Sequence, residues 1–278
     1  MGSANRKIRY LFDDLAEAVL HDADEAAKAL KEAGLDPDAV AREGRAFIEL
    51  LQGKASEAEE NPVRDLARRL QRARGREDSK TQAKPPFKRA AVLAWVVYYL
   101  VRVLGEVRRY RAGKTAYLLE RGLGLGLFTT HTKKPWGPYD SNLKYKDAEP
   151  IARGQRWLIT RRNSSYIELG SKIQKALQYA HRYLKDEELA IDYIKYLATY
   201  TDDELETITT VDWIALELSE SGEEVYVETI REAIGRSKEW EEKLGRENFS
   251  HASIAKALRQ LQQIGLLTHA SGIQENNQ

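Results

Sequence analysis

The chain has 278 residues with 44 Lys and Arg against 43 Asp and Glu, so 31% of it is charged while the formal net charge is only +1. This length allows two or three modules, and 42% apolar content is enough to bury a core, which excludes wholesale disorder. Zero cysteines exclude a disulfide framework, a thiol nucleophile, a thiolate zinc site and an iron–sulfur cluster; His21, His131, His181, His251 and His269 form no pair at metal-ligand spacing, so no cofactor or metal is expected.

Met1 to Tyr10 is polar and basic and leads into an amphipathic stretch, a pattern unlike a secretory signal, so a cytoplasmic protein is expected. Ile8, Leu11, Phe12, Leu15 and Val19 recur at three- and four-residue steps, which places them on one face of a helix. Gly34 stops that region, Asp36 and Pro37 suit the cap and first position of a second helix, and Val40, Phe47, Ile48 and Leu51 follow on it. These elements predict an N-terminal helical module over 1–71. Residues 72–86 are charge-dense and poor in apolar side chains, as a linker is.

Ala90 to Val101 is an uninterrupted apolar run of twelve residues. Crossing a bilayer takes about 18–20, so the run predicts a central helix, extending to Leu104 and surrounded by other helices. A shorter helix from Lys114 to Arg121 breaks at Gly122, Gly124 and Gly126. Gly137-Pro138 makes a rigid bend flanked by Trp136 and Tyr139, and Asp140 or Ser141 caps a helix that turns Leu143, Ala148 and Ile151 inward and kinks or ends near Pro150. Trp157–Thr160 and Tyr166–Leu169 flank a polar turn as a hairpin does. Helices from Ile173 to about Tyr183 and from Glu187 to Tyr200 complete a central domain over 87–200.

In 201–270 the order is a helix with Val211, Ile214, Ala215 and Leu218, a short strand at Glu223–Val227, a helix with Ile230 and Ile234, and a third helix capped by Ser250 and ended by Gly265. That order predicts a winged-helix-like module followed by a disordered tail, 271–278. The fold class expected is mostly α: a helical N-terminal module, a helical central domain with a small β-hairpin, and the winged-helix-like module.

Motifs for catalysis fail on spacing. Gly113-Lys114-Thr115 resembles the end of a phosphate-binding loop, but Arg108 stands where that loop needs its first glycine. A metal-dependent nuclease built on Asp140 and Glu168 lacks the Glu-x-Lys pair, because Gly170 occupies the lysine position, and a divergent nuclease using these two carboxylates stays as a third alternative, behind a nucleic-acid-binding transcriptional regulator. No nucleophile elbow or His-Glu-x-x-His sequence is present, and no enzymatic activity is expected.

The order Lys114-Thr115-x-Tyr117-Leu118-Leu119, a glycine-containing turn, Gly137-Pro138-Tyr139-Asp140-Ser141, and a helix ending in Gly154-x-x-Trp157-Leu158 resembles the Panacea domain family, the SocA-like antitoxins. The specific part of the resemblance is Lys114 to Trp157; its looser extent is about 87–267. It departs from the family pattern at Ala116, where Leu or Gln is more usual, and in the unusual flexibility that Gly122-Leu-Gly-Leu-Gly126 adds. The resemblance implies a protein without catalytic function that neutralises a partner toxin by direct contact, in a toxin–antitoxin or phage-defence system. Gly34 to Gly44 is likewise similar to helical leaders on bacterial toxin–antitoxin proteins.

Cut into segments, the charge is far from balanced. Residues 81–174 carry 18 Lys and Arg against 6 Asp and Glu, net +12, and residues 175–278 carry 11 against 20, net −9. The candidate partner-binding set falls in the basic segment: Lys133, Lys134, Trp136, Gly137, Pro138, Tyr139, Asp140, Lys144, Lys146, Arg153, Arg156, Arg161 and Arg162. Three explanations compete: neutralisation by the acidic C-terminal module, contact with an acidic protein such as a toxin, or nucleic acid, with Trp136, Tyr139 and Tyr145 as stacking partners. The acidic C-terminal region argues against DNA reading there, since its best recognition helix offers only His251, Lys256 and Arg259.

Overall fold

The computed structural model describes residues 62–74, 85–160 and 164–267. The two N-terminal helices expected from the sequence, residues 75–84 of the expected linker, Arg161, Arg162 and the tail 271–278 lie outside the described residues.

In chain order the described elements are α1 (Pro62–Arg74), α2 (Pro85–Leu104), β1 (Val107–Arg108), α3 (Arg109–Leu123), β2 (Thr132–Lys134), β3 (Gly137–Tyr139), α4 (Ser141–Tyr145) and α5 (Ala148–Gly154). Then come β4 (Leu158–Thr160), β5 (Tyr166–Leu169), α6 (Ile173–His181), α7 (Glu187–Ala198), α8 (Asp202–Glu220), α9 (Val227–Arg236) and α10 (His251–Gln263). Two short 3-10 turns, Glu241–Gly245 and Glu247–Phe249, join α9 to α10. The chain is mostly α, as expected.

Helix α2 carries the apolar run and is buried from Ala90 through Val97 and again at Leu100. Helices α3, α5, α6 and α7 pack around it, which is why its sequence has no polar stripe. Trp95, fully buried at its centre, keeps its one polar atom satisfied by donating Nε1–H to Glu187 Oε1 at 2.8 Å. Helix α1 turns Leu66, Ala67 and Leu70 inward and packs on α3 and α7; the described residues form one compact unit, with α8 against α3 and α10 against both α8 and α1.

The expected hairpin forms as β4 and β5, antiparallel, with Leu158 opposite Leu169 and Thr160 opposite Ile167. Strand β1 adds to it, Val107 pairing with Ile167, to give the order β1-β5-β4. A second hairpin, β2 with β3, registers Lys134 against Gly137 around a Pro135-Trp136 turn.

Capping explains several boundaries. The Asp140 carboxylate accepts from Asn142 N–H and starts α4, and Ser250 does the same for α10 through Ser253 N–H. The segment 141–154 is two helices, because Asp147 caps α5 anew and places Pro150 in its first turn, where a missing N–H breaks no helical bond. The strand expected at Glu223–Val227 does not form: the Thr229 hydroxyl accepts from Tyr226 N–H at 3.1 Å and α9 starts at Val227. The helix expected from Lys114 begins five residues earlier, at Arg109.

The glycine-rich stretch after α3 is anchored. Gly124, at φ +61, takes the left-handed cap position and donates its N–H to Glu120 O. The Glu120 carboxylate then accepts from the N–H groups of Gly126, Leu127 and Phe128 at 2.8, 2.9 and 3.0 Å. Three charge-assisted bonds on one side chain make it the organiser of this loop. Glu120→Ala should lower stability by about 2–3 kcal/mol, read as a fall in the urea midpoint, with Glu120→Gln intermediate because its amide retains one acceptor oxygen.

Candidate functional site

Four cations of the basic segment meet carboxylates of helix α8, while Arg89 and Arg109 pair within the segment, with Asp147 and Glu149. Asp202 pairs with Arg111 at 2.7 Å and with Arg108 at 3.5 Å. Asp212, fully buried, accepts two bonds from Arg121 at 2.8 and 3.1 Å and one from the Tyr117 hydroxyl at 2.7 Å. Glu217 pairs with Lys133 at 2.7 Å. Glu206 is held instead by buried Lys243 and by Arg246, at 2.9 Å, from the turn before α10. Neutralisation by the C-terminal region therefore accounts for Arg108, Arg111, Arg121 and Lys133.

Behind the Gly-Pro bend lies a buried amine. Lys114, in the middle of α3, donates to Pro138 O at 3.0 Å, and burial, with the charge of Lys243 nearby, pushes its pKa down to about 7. The phosphate-loop-like sequence thus points its lysine into the core. Gly137 has φ +92, and a Cβ there would stand 2.6 Å from Lys114 Nζ and 2.7 Å from Thr210 Oγ1. Only glycine fits between the bend and the amine. Tyr139 is half-buried and burial raises its pKa to about 12; nearby, burial lowers the pKa of His131 to about 4.

The structure divides the candidate set. Gly137, Pro138 and Asp140 are buried, so they build the bend and the α4 cap and offer no contact surface. Lys133 is committed to Glu217, and its Nζ lies 5.3 Å above the Trp240 ring. Lys134, Lys146, Arg153 and Arg156 are exposed, and none makes an ion pair with a described carboxylate; Lys144 lies 4.8 Å above the Tyr145 ring. Trp136 is 61% exposed. Arg161 and Arg162 lie outside the described residues.

The exposed part of this segment is basic. Helix α4 packs on α5, and Lys172 N–H bonds Arg156 O at 2.9 Å, joining the end of α5 to the start of α6. Arg156 holds a left-handed φ of +59 at this junction, a backbone cost of about 1–2 kcal/mol. Among the described residues from 132 to 182, the exposed cations are Lys134, Lys146, Arg153, Arg156, Lys172, Lys175 and Arg182, while the only exposed carboxylate is Glu168. Tyr145, 66% exposed between Lys144 and Lys146, and Ile159, 43% exposed on β4, add apolar surface. Tyr145, expected from the sequence as a stacking partner for nucleic acid, stands outside the candidate partner-binding set.

Asp140 and Glu168 are not brought together: one caps α4 inside the protein and the other lies on the outer face of the sheet. Among the described residues no group of three or more His, Asp or Glu is placed to hold a metal ion. None of the described helices is long and apolar enough to cross a membrane. On the C-terminal helix α10, His251 bonds Glu228 and Lys256 pairs with Glu204, which leaves Arg259 as the exposed cation of the candidate recognition set without a described carboxylate partner. No protein-family model matches the chain, and no curated protein matches it.

Gly137→Ala should destabilise by about 2 kcal/mol or more, read as a lower thermal midpoint, because it adds both left-handed strain and a clash with the Lys114 amine. Lys114 makes stability pH-dependent in a defined direction. Its folded pKa lies below the unfolded one, so the unfolded chain binds the extra proton and stability rises as pH increases from 7 toward 9. Urea midpoints at pH 7 and 9 should show this rise in the wild type and a rise smaller by about 1 kcal/mol per pH unit in Lys114→Met.

Proposed function

We propose that the chain is a non-enzymatic binding protein that neutralises an acidic protein toxin by direct contact through the face formed by α4, α5 and the start of α6. The observation that carries this reading is the charge of this stretch: Lys146, Arg153, Arg156, Lys172 and Lys175 are exposed, Lys144 lies 4.8 Å above the ring of exposed Tyr145, and Glu168 is the only exposed carboxylate among the described residues from 132 to 182. Exposed cations that make no ion pair with a described carboxylate, Lys146, Arg153 and Arg156 among them, steer an acidic surface toward this stretch. Tyr145 and Ile159 supply the apolar anchor that a protein interface needs and that charge alone does not give. The toxin class comes from the resemblance of residues 114–157 to the SocA-like antitoxins.

Nucleic acid is the second reading, favoured by the Lys144–Tyr145 stack, since a cation on an exposed aromatic suits a phosphate beside a base. A single tyrosine is a short platform for a strand, and the cations of α10 are largely paired with carboxylates, so protein contact is the better supported of the two.

The test is co-expression with the product of the adjacent gene, since antitoxins are usually encoded beside their toxins. The wild type should co-purify with that product and restore growth. The exposed charge reversal Lys144→Glu, Lys146→Glu, Arg153→Glu, Arg156→Glu should keep its thermal midpoint within a few degrees and lose both. No complex and no rescue by the wild type would remove the proposal, and steeply salt-dependent binding of a labelled single-stranded oligonucleotide in their place would favour the second reading.

A further inference from the structure

Lys114 is buried beneath the Gly137-Pro138 bend, and β3 brings it the Pro138 carbonyl, to which the amine donates at 3.0 Å. The charged and titratable groups that face it come from several elements. Helix α8 brings Glu206, the turn before α10 brings Lys243 and Arg246, and His131 stands before β2. Tyr110, one turn back on α3, has its ring centroid 5.3 Å from Lys114 Nζ, and Asp202 and Asp203 act on that tyrosine from the start of α8. Of the carboxylates, Glu206 acts on the amine directly, and it is already committed to Lys243, to Arg246 at 2.9 Å and to the Tyr110 hydroxyl. His131 is neutral near pH 7, because burial lowers its pKa to about 4. Lys114 itself has no ion pair among the described residues. Once protonated it is a buried charge met by one carbonyl and one ring, an arrangement that access of water would relieve.

The cover over this amine is short and held at its two ends. Trp240 Nε1–H donates to Lys134 O at 2.6 Å, and the Asp140 carboxylate accepts from Asn142 N–H at 2.9 Å as the cap of α4. Between these points run Pro135, exposed Trp136, Gly137, Pro138 and Tyr139. Their sheet has two strands, β2 and β3, and a two-stranded ribbon is marginal by itself. Packing of Gly137 and Pro138 on Lys114 and Thr210 therefore seats it, so close that a Cβ on Gly137 would stand 2.6 Å from the amine.

We propose that the Gly137-Pro138 bend is a pH-operated latch: it seats on Lys114 while the amine is neutral and, on protonation, lifts between the fixed points at Lys134 and Asp140 to hydrate it, carrying Trp136 along. The direction follows from proton uptake. Burial holds the amine at a pKa of about 7 in the seated form, and lifting returns it toward the ordinary lysine value of 10.5. Between those values the lifted form binds more protons than the seated one, so the opening constant rises as pH falls. The rise is about tenfold per pH unit from 9 to 7 and levels off below 7, where both forms are protonated. The latch is independent of the toxin reading, which uses the α4–α6 face.

Amide hydrogen exchange of the full chain at pH 7, 8 and 9, divided by the intrinsic rate at each pH, tests this on peptides covering 132–140. Peptides of α2 report global unfolding. In the wild type the bend should open more readily than α2 at every pH, about tenfold more for each unit from 9 down to 7. In Lys114→Met, which removes the titrating amine and keeps its bulk, the opening constant of the bend should not change with pH. A second readout needs no substitution of Lys114: the chain has no cysteine, so Thr210→Cys places a single thiol against the bend. Its labelling rate, corrected for the thiolate fraction, should rise from pH 9 to 7 in the same way. A flat wild-type profile, an equal slope in Lys114→Met, bend exchange that matches α2 at every pH, or a corrected labelling rate that does not change would each overturn the proposal.

Discussion

The buried carboxylate of Asp212 is the interaction on which the rest of the described structure depends. Removing a charge from water costs several kcal/mol, and it is tolerated only where partners are placed to meet it. Asp212 meets them all on α3: the Arg121 guanidinium bonds both carboxylate oxygens and the Tyr117 hydroxyl bonds one. That requirement fixes α8 against α3 in rotation and in register. With α8 so placed, Asp202 reaches Arg111 and Glu217 reaches Lys133, one toward each end of the helix. The opposed charges of residues 81–174 and 175–278 are thus a means of joining two parts of one unit.

This joining also decides which cations remain for other purposes. Arg111 and Arg121 of α3 and Lys133 of β2 are spent on α8 and Arg109 is spent on Glu149, whereas Lys134, Lys146, Arg153 and Arg156 are exposed and make no ion pair with a described carboxylate. The Gly-Pro bend lies between β2 and α4. Its inner side packs on the Lys114 amine through Gly137 and Pro138, and its outer side presents Trp136. Residues grouped together by their closeness in sequence therefore take opposite roles, some holding the bend and others facing solvent.

Features set by local chemistry were legible before the fold was known. Helix α2 followed from twelve consecutive apolar residues, the caps at Asp140 and Ser250 from side chains that bond N–H groups two or three residues on, and the β4–β5 hairpin from two apolar runs around a polar turn. What the sequence hid depended on distant partners. Strand β1 is two residues long and exists because β5 lies beside it, and β2, Thr-Lys-Lys, has no apolar alternation to announce it. Val225-Tyr226-Val227 mimicked a strand because three β-favouring residues in a row were visible and the Thr229 bond that starts a helix was not. Which arginines of the basic segment would be neutralised was equally hidden, since each partner on α8 lies about ninety residues away, as Arg121 and Asp212 do.

The account therefore rests on the basic middle and the acidic C-terminal region forming one cooperative body pinned at Asp212. Denaturant unfolding of Asp212→Asn beside the wild type, followed by tryptophan fluorescence and by far-ultraviolet circular dichroism, tests that most directly. The substitution strips the Arg121 charge of its counter-ion, so the residues described here should still unfold in one transition that both probes share, at a midpoint lowered by about 3 kcal/mol of stability. Two separate transitions in the wild type, or a variant that loses the C-terminal helices while α2 and its neighbours unfold at the wild-type midpoint, would contradict it.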